Sequence, residues 1–266
     1  MQRLLPVVLL GLAGAAMNPA QAQTPPPAVF AAGSLREALT TIATALEART
    51  GTRVALGFGP SGLLRERIEK GEAAQVFASA DTEHPQRLAN AGDWQAPVVF
   101  VRNRLCALVV PGLALTTDTM LDTLLRPEVR LATSTPKADP SGDYAWELFR
   151  RAELLRPGTF ALLSAKALQL TGASDSPQPP AGRNAYAWNM EEGRADVFLT
   201  YCTNAIAAQR ELPALRVVDM PAALRVSAAY ALTVRRGAPA AASDFAQALL
   251  APEAQAQFQR LGFAAP

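Results

Sequence analysis

Histidine is nearly missing from this chain of 266 residues: His84 is its only example, and cysteine occurs twice, at Cys106 and Cys202. A Ser-His-Asp triad needs a base within reach of its nucleophile, and a structural zinc site needs about four cysteine or histidine ligands. His84 precedes Pro85 at an apparent helix start among polar Thr82, Glu83 and Gln86, which reads as an exposed first-turn residue. Histidine-dependent hydrolysis and a zinc centre are therefore disfavoured. An excess of one charge is missing too, with 25 Lys and Arg against 23 Asp and Glu. Such a balance leaves no broad footprint for nucleic acid or anionic lipid. After the N-terminus, no apolar run approaches the roughly 20 residues that span a bilayer.

The N-terminus is different. Arg3 is the only charge in residues 1–22, Leu4 to Met17 is nearly continuous apolar sequence, and Ala20-Gln21-Ala22 is a small-x-small cleavage pattern. We expect an export signal over residues 1–22 and a mature chain starting at Gln23, with 244 residues and 24 basic against 23 acidic side chains. Export places the protein in the periplasm, where Cys106 and Cys202 are chemically free to pair. Their spacing does not decide whether they do, because bonding requires Cα atoms within about 7 Å.

From residue 28 onward, short apolar runs alternate with amphipathic stretches, the pattern of strands and crossover helices. Val29 to Ala32 reads as a strand, and Leu35, Leu39, Ile42 and Leu46 mark one face of the following helix. Val54 to Phe58 and Gln75 to Ala78 repeat the unit. Arg102-Asn103-Arg104 interrupts the next apolar stretch, and Leu105 to Val110 resumes it. The pattern predicts an α/β protein of two lobes, each a mostly parallel sheet flanked by helices, joined by two hinge crossings. Lobe I takes residues 23–102 and 218–266, with Leu215 to Asp219 as the return crossing, and lobe II takes 103–217. Thr171 to Gly182, rich in Pro, Ser and Gly, reads as a surface loop.

Three strand-to-helix turns share a composition: Gly33-Ser34, Pro60-Ser61-Gly62 and Pro140-Ser141-Gly142. Glycine permits close approach, serine supplies a hydroxyl, and a first helical turn leaves N–H groups without intrahelical partners. Together they form a cradle for an oxyanion. A serine at a helix start is also an ordinary N-cap; three turns of like build favour the site. Tyr201, ending the run Val197 to Tyr201, offers a further O–H donor or simply packs its ring. Arg65, Arg67 and Lys70 read as a solvated helix face, and Trp146, Trp188 and Phe198 as core.

The stretches VFAAGSLREAL, GFGPSGLLRERIEKGEAAQVFASAD, DPSGDYAWELF and ADVFLTYCTNA, in this order, resemble the periplasmic molybdate-binding proteins of ABC transporters. The resemblance implies a non-enzymatic, monomeric, two-lobed receptor without cofactor, closing on molybdate or tungstate and delivering it to an inner-membrane ABC permease. It implies hydroxyl donors at Ser34 and Ser61, a backbone N–H at Ser141, a phenol at Tyr201 and a further backbone donor at Arg183. Gly59-Pro60-Ser61-Gly62 replaces the family's serine run, and Cys202 and Asn204 replace a glycine and an acid after the tyrosine. A protonated oxyanion such as phosphate is expected to be rejected, since these turns supply no obvious acceptor. The alternatives are a secreted serine hydrolase, or a receptor for another anion or a small organic acid that feeds a sensor.

Overall fold

The computed structural model describes residues 25–266, so the expected export signal lies outside the described residues. The first three strand-helix units form as expected: β1 (Ala28–Ala32), α1 (Arg36–Thr50), β2 (Ala55–Gly59), α2 (Ser61–Glu69), β3 (Val76–Ser79) and α3 (Glu83–Asn90). Leu39, Ile42 and Leu46 bury one face of α1, and the helix stops at Gly51, whose φ of 73° continues no helix. Then follow β4 (Val98–Val109), α4 (Met120–Leu125), β5 (Leu131–Ser134), α5 (Pro140–Leu155), α6 (Thr159–Lys166), β6 (Leu168–Thr171), α7 (Ala185–Glu191), β7 (Val197–Tyr201), α8 (Cys202–Glu211) and β8 (Arg216–Asp219). The chain ends with β9 (Ser227–Val234), α9 (Ala240–Leu250) and α10 (Pro252–Arg260). Among the described residues no helix is long and apolar enough to cross a membrane.

The strands lie in the order β2-β1-β3-β9-β4-β7-β5-β6, with β8 also pairing β4. Each half has a parallel core, β2-β1-β3 or β6-β5-β7, but β9 runs antiparallel to β3 and β4, and β4 antiparallel to β7 and β8. The sheets are thus mixed. Their parallel cores still set strand carboxyl ends facing helix starts, where α/β folds bind ligands.

The expected break at Arg102-Asn103-Arg104 does not occur. The strand β4 is continuous, its Val98 to Arg104 portion pairing β9 and its Leu105 to Val109 portion pairing β7 and β8. Arg102 and Arg104 point outward while Asn103 is buried, so the polar triplet is a period-two alternation and not a turn. This one strand carries the chain from one half to the other. Leu215 to Asp219, expected as the return crossing, instead holds β8 (Arg216–Asp219), which pairs β4 in the second half. The return falls between β8 and β9, over residues 220–226.

Cys106 and Cys202 form a disulfide, with Cα atoms 4.8 Å apart. Register explains it: Leu105 faces Tyr201 and Cys106 faces Thr200 across the β4–β7 ladder, which brings the first residue of α8 over β4. Arg65 and His84 depart from their expected exposure. Arg65 is buried and paired with Glu69 at 2.6 Å, and His84 is buried beside Asp81. Phe198 is core, whereas Trp146 and Trp188 are only half-buried.

Candidate functional site

A cavity of about 870 Å³ lies where the two halves of the sheet meet. Its walls take Ser34, Ser61, Ala80, Asp139, Tyr201 and Arg183, among others, from both halves. The halves touch around it. The N–H of Gly62, in the first turn of α2, donates to the carbonyl of Ala138 at 2.9 Å, and the Tyr201 hydroxyl donates to the carbonyl of Ala80 at 3.2 Å. At the rim, Arg210 of α8 reaches Glu37 of α1 at 3.0 Å.

Ser34 sits in a short 3-10 turn between β1 and α1, its oxygen 2.9 Å from the Tyr230 hydroxyl. The Asn103 amide donates to Tyr230 at 3.2 Å and to Thr203 at 2.8 Å. The Ser34–Tyr230 bond can run in either direction; where Tyr230 donates, the Ser34 hydrogen is left for the cavity. At Ser61 the Ala80 N–H donates to the hydroxyl oxygen at 3.1 Å, so the Ser61 hydrogen is free. Ser61 is the first residue of α2 and lies on the cavity wall, adding a first-turn N–H with no intrahelical acceptor. Two serine hydroxyls and a helix-start amide thus line the same cavity.

Tyr201 is buried, its ring tilted against Tyr230 with centroids 5.4 Å apart and edge-on to Tyr144. Burial holds its phenol well above the ordinary range, helped by the repulsion a phenolate would feel from Tyr230 and Tyr144. Tyr201 is therefore a neutral donor whose hydrogen is held by Ala80. Arg183 lies on the wall, but its N–H donates to the carbonyl of Pro180, and its guanidinium pairs with Glu191 and Glu211 at 2.5 and 2.7 Å.

Ser141 is not brought to the wall. It is fully buried with no hydrogen-bond partner for its hydroxyl, and its N–H donates to Asp139 Oδ1 at 3.0 Å. Asp139 stands on the wall in its place, capping α5 ahead of Pro140. Asp-Pro at a helix start is a recognisable cap signal, and the sequence reading passed over the residue that carries it. Arg36 was also missed: it lines the cavity, stacks 4.5 Å from the Phe58 ring and has no carboxylate partner among the described residues. The stretch Thr171 to Gly182 is no mere surface loop, since Gly172, Ser176 and Gln178 form part of the wall.

Two half-sheets with a donor-lined cleft between them define a class, the two-lobed binding proteins that close on a small solute. The chain belongs to the bacterial extracellular solute-binding protein family, whose model matches residues 27–264. It is 38% identical over 205 residues to the uncharacterized protein PM1146 of Pasteurella multocida, covering 77% of this chain and 85% of that protein. Over 244 residues it is 30% identical to the molybdate-binding protein ModA of Escherichia coli, covering 88% and 87%. The periplasmic molybdate-binding protein of Azotobacter vinelandii shares the fold, with a TM-score of 0.69 at 21% identity over 90% of this chain and 99% of that one. The family and the two molybdate-binding relatives are solute-binding proteins, not enzymes.

Proposed function

We propose that the protein is a periplasmic receptor for a tetrahedral oxyanion, with molybdate or tungstate as its first ligands, delivering it to an inner-membrane ABC permease. One observation carries the reading: Ser34 and Ser61 line the same cavity, the Ser61 oxygen accepting from the Ala80 N–H so that its hydrogen is free, and the Ser34 oxygen resting on the Tyr230 hydroxyl, which can donate to it. Neutral hydroxyl and amide donors suit a dianion, and enclosure between the halves strengthens each bond by excluding water. Kinship with the molybdate-binding protein of Escherichia coli supports the choice of anion. The fold boundaries we propose for the two lobes follow the halves of β4.

A second reading is an oxyanion carried on a small organic body. It is favoured by the cavity's 870 Å³, which extends from the serines to Gln178 and Glu211 and exceeds what a bare tetrahedral ion fills. Thermal-shift titration with molybdate, tungstate, sulfate and phosphate tests the main reading, because a ligand bound only by the native state must raise Tm. A rise with molybdate or tungstate supports it. A flat response to all four, with a rise for a phosphorylated organic acid, moves the assignment to the second reading.

A further inference from the structure

Asp139 is out of place in a site built for a dianion. Its carboxyl lines the cavity, yet among the described residues it forms no ion pair. The groups that act most strongly on it are neutral or acidic, while Arg36, Arg183 and Arg210, which also line the cavity, form no ion pair with it. Ser141 and Asp143 lie on its own helix α5, Asp81 follows β3, Ser134 ends β5, Tyr186 is on α7, Tyr201 ends β7 and Tyr230 is on β9. The position is built. Gly172, with φ of 93°, lies so close that a Cβ there would come within 2.6 Å of Asp139 Cβ, and Ser141 N–H fixes Oδ1 at 3.0 Å.

An ionised carboxylate here would repel an incoming oxyanion with little water to screen it. Protonated, the same group is a hydrogen-bond donor on the cavity wall. Resting on the oxyanion reading above, we propose that Asp139 makes the ligand complex hold one proton, shared between its carboxyl and a ligand oxygen. A fully ionised ligand such as molybdate draws that proton from solvent. A ligand with its own hydroxyl, such as hydrogenphosphate, brings it, and Asp139 then accepts. This reverses the expected rejection of protonated oxyanions, since the wall does supply an acceptor. Burial already pushes the Asp139 carboxyl up to about 6, with Asp143 and Asp81 adding to the effect. Bringing a dianion beside it raises the value further. Affinity for a fully ionised ligand is then highest below about pH 6 and falls as pH rises, about tenfold per unit while one proton is taken up.

Calorimetric titration of the purified protein with sodium molybdate, at pH 7.5 in two buffers of different ionisation enthalpy, reads the proton count directly. The expected result is close to one proton taken up per molybdate and a Kd rising about tenfold per pH unit from 6.5 to 8. In Asp139→Asn, uptake and pH dependence should vanish while binding persists, since the amide donates at every pH. Tight molybdate binding by the wild type with no proton uptake overturns the proposal and leaves the oxyanion reading standing. If phosphate binds and molybdate does not, Asp139→Ala, which leaves no acceptor at this position, must weaken phosphate at least about tenfold, and unchanged affinity overturns it. No binding of either anion, nor of tungstate or sulfate, overturns the oxyanion reading and this proposal with it.

Discussion

The Tyr201 hydroxyl and the Ala80 carbonyl, 121 residues apart in the chain, are joined by a 3.2 Å hydrogen bond across the cleft. The N–H of the same Ala80 donates to Ser61, so one short piece of backbone links the second half to the serine turn of the first. Tyr201→Phe removes the bridge and leaves a buried carbonyl unpaired, a loss of about 1–3 kcal/mol. Ligand affinity should fall about tenfold or more by calorimetry, and the variant's far-UV circular dichroism should match the wild type.

If the proposed oxyanion sits in the cavity, Ser34→Ala and Ser61→Ala each delete a hydroxyl available to it. Hydrogen bonds to charged groups are worth about 1.5–3 kcal/mol, so each variant should bind roughly ten- to hundredfold more weakly. Ser61→Ala should also lower the melting temperature of the unliganded protein, because it strips the buried Ala80 N–H of its acceptor. Unchanged affinity in both variants would remove the serines from the site.

Gly62 allows the halves to meet. A Cβ at this position would lie 2.8 Å from the Ala138 carbonyl oxygen and closer still to that of Lys137. Gly62→Ala should therefore hold the halves apart, weakening ligand binding by at least about tenfold for a loss above about 1.4 kcal/mol. Small-angle scattering should show no compaction when ligand is added.

Asp139 also links stability to pH. Below the usual aspartate value of 3.8 both folded and unfolded chains carry the proton, and it has no effect. Between there and about 6 the folded state keeps a proton that the unfolded state has lost, so stability falls as pH rises; above about 6 the penalty is full and constant. Asparagine caps a helix as well as aspartate. The unliganded Asp139→Asn variant should match the wild type near pH 4 and exceed it by about 1–3 kcal/mol at pH 7, measured by urea unfolding.

The Cys106–Cys202 bond joins β4 to α8 across a sequence separation of 96. The double variant Cys106→Ser, Cys202→Ser should lose about 2–5 kcal/mol of stability, read from chemical denaturation. Cys106 and Cys202 are both buried, so reductant should act slowly on the native protein.

Much of this architecture was legible in the sequence because periodicity reports burial: the apolar face of α1 and the strand-turn-helix units of the first half fell where expected. What failed was polarity taken as a break. Arg102 and Arg104 sit on the solvent side of a continuous strand, and no single-sequence pattern separates such alternation from a turn in three residues. The short strand β6, with Leu168 and Gln169 exposed, carries too little apolar signal to stand out. In the site, the serine turns were readable from composition, since Gly-Ser before an amphipathic helix has a direct physical meaning. Asp139 was not, because a capping aspartate usually faces water, and only the fold shows this one facing a cavity closed by Gly172 and Tyr186.

The central claim is that an oxyanion sits between Ser34 and Ser61 where the halves meet. Crystals grown with tungstate and measured at the tungsten absorption edge test it most directly. One strong anomalous peak is expected within hydrogen-bonding distance of both serine oxygens, in the cavity that Asp139 and Tyr201 also line. A peak elsewhere, or tungstate-saturated crystals with none in this cavity, would contradict it.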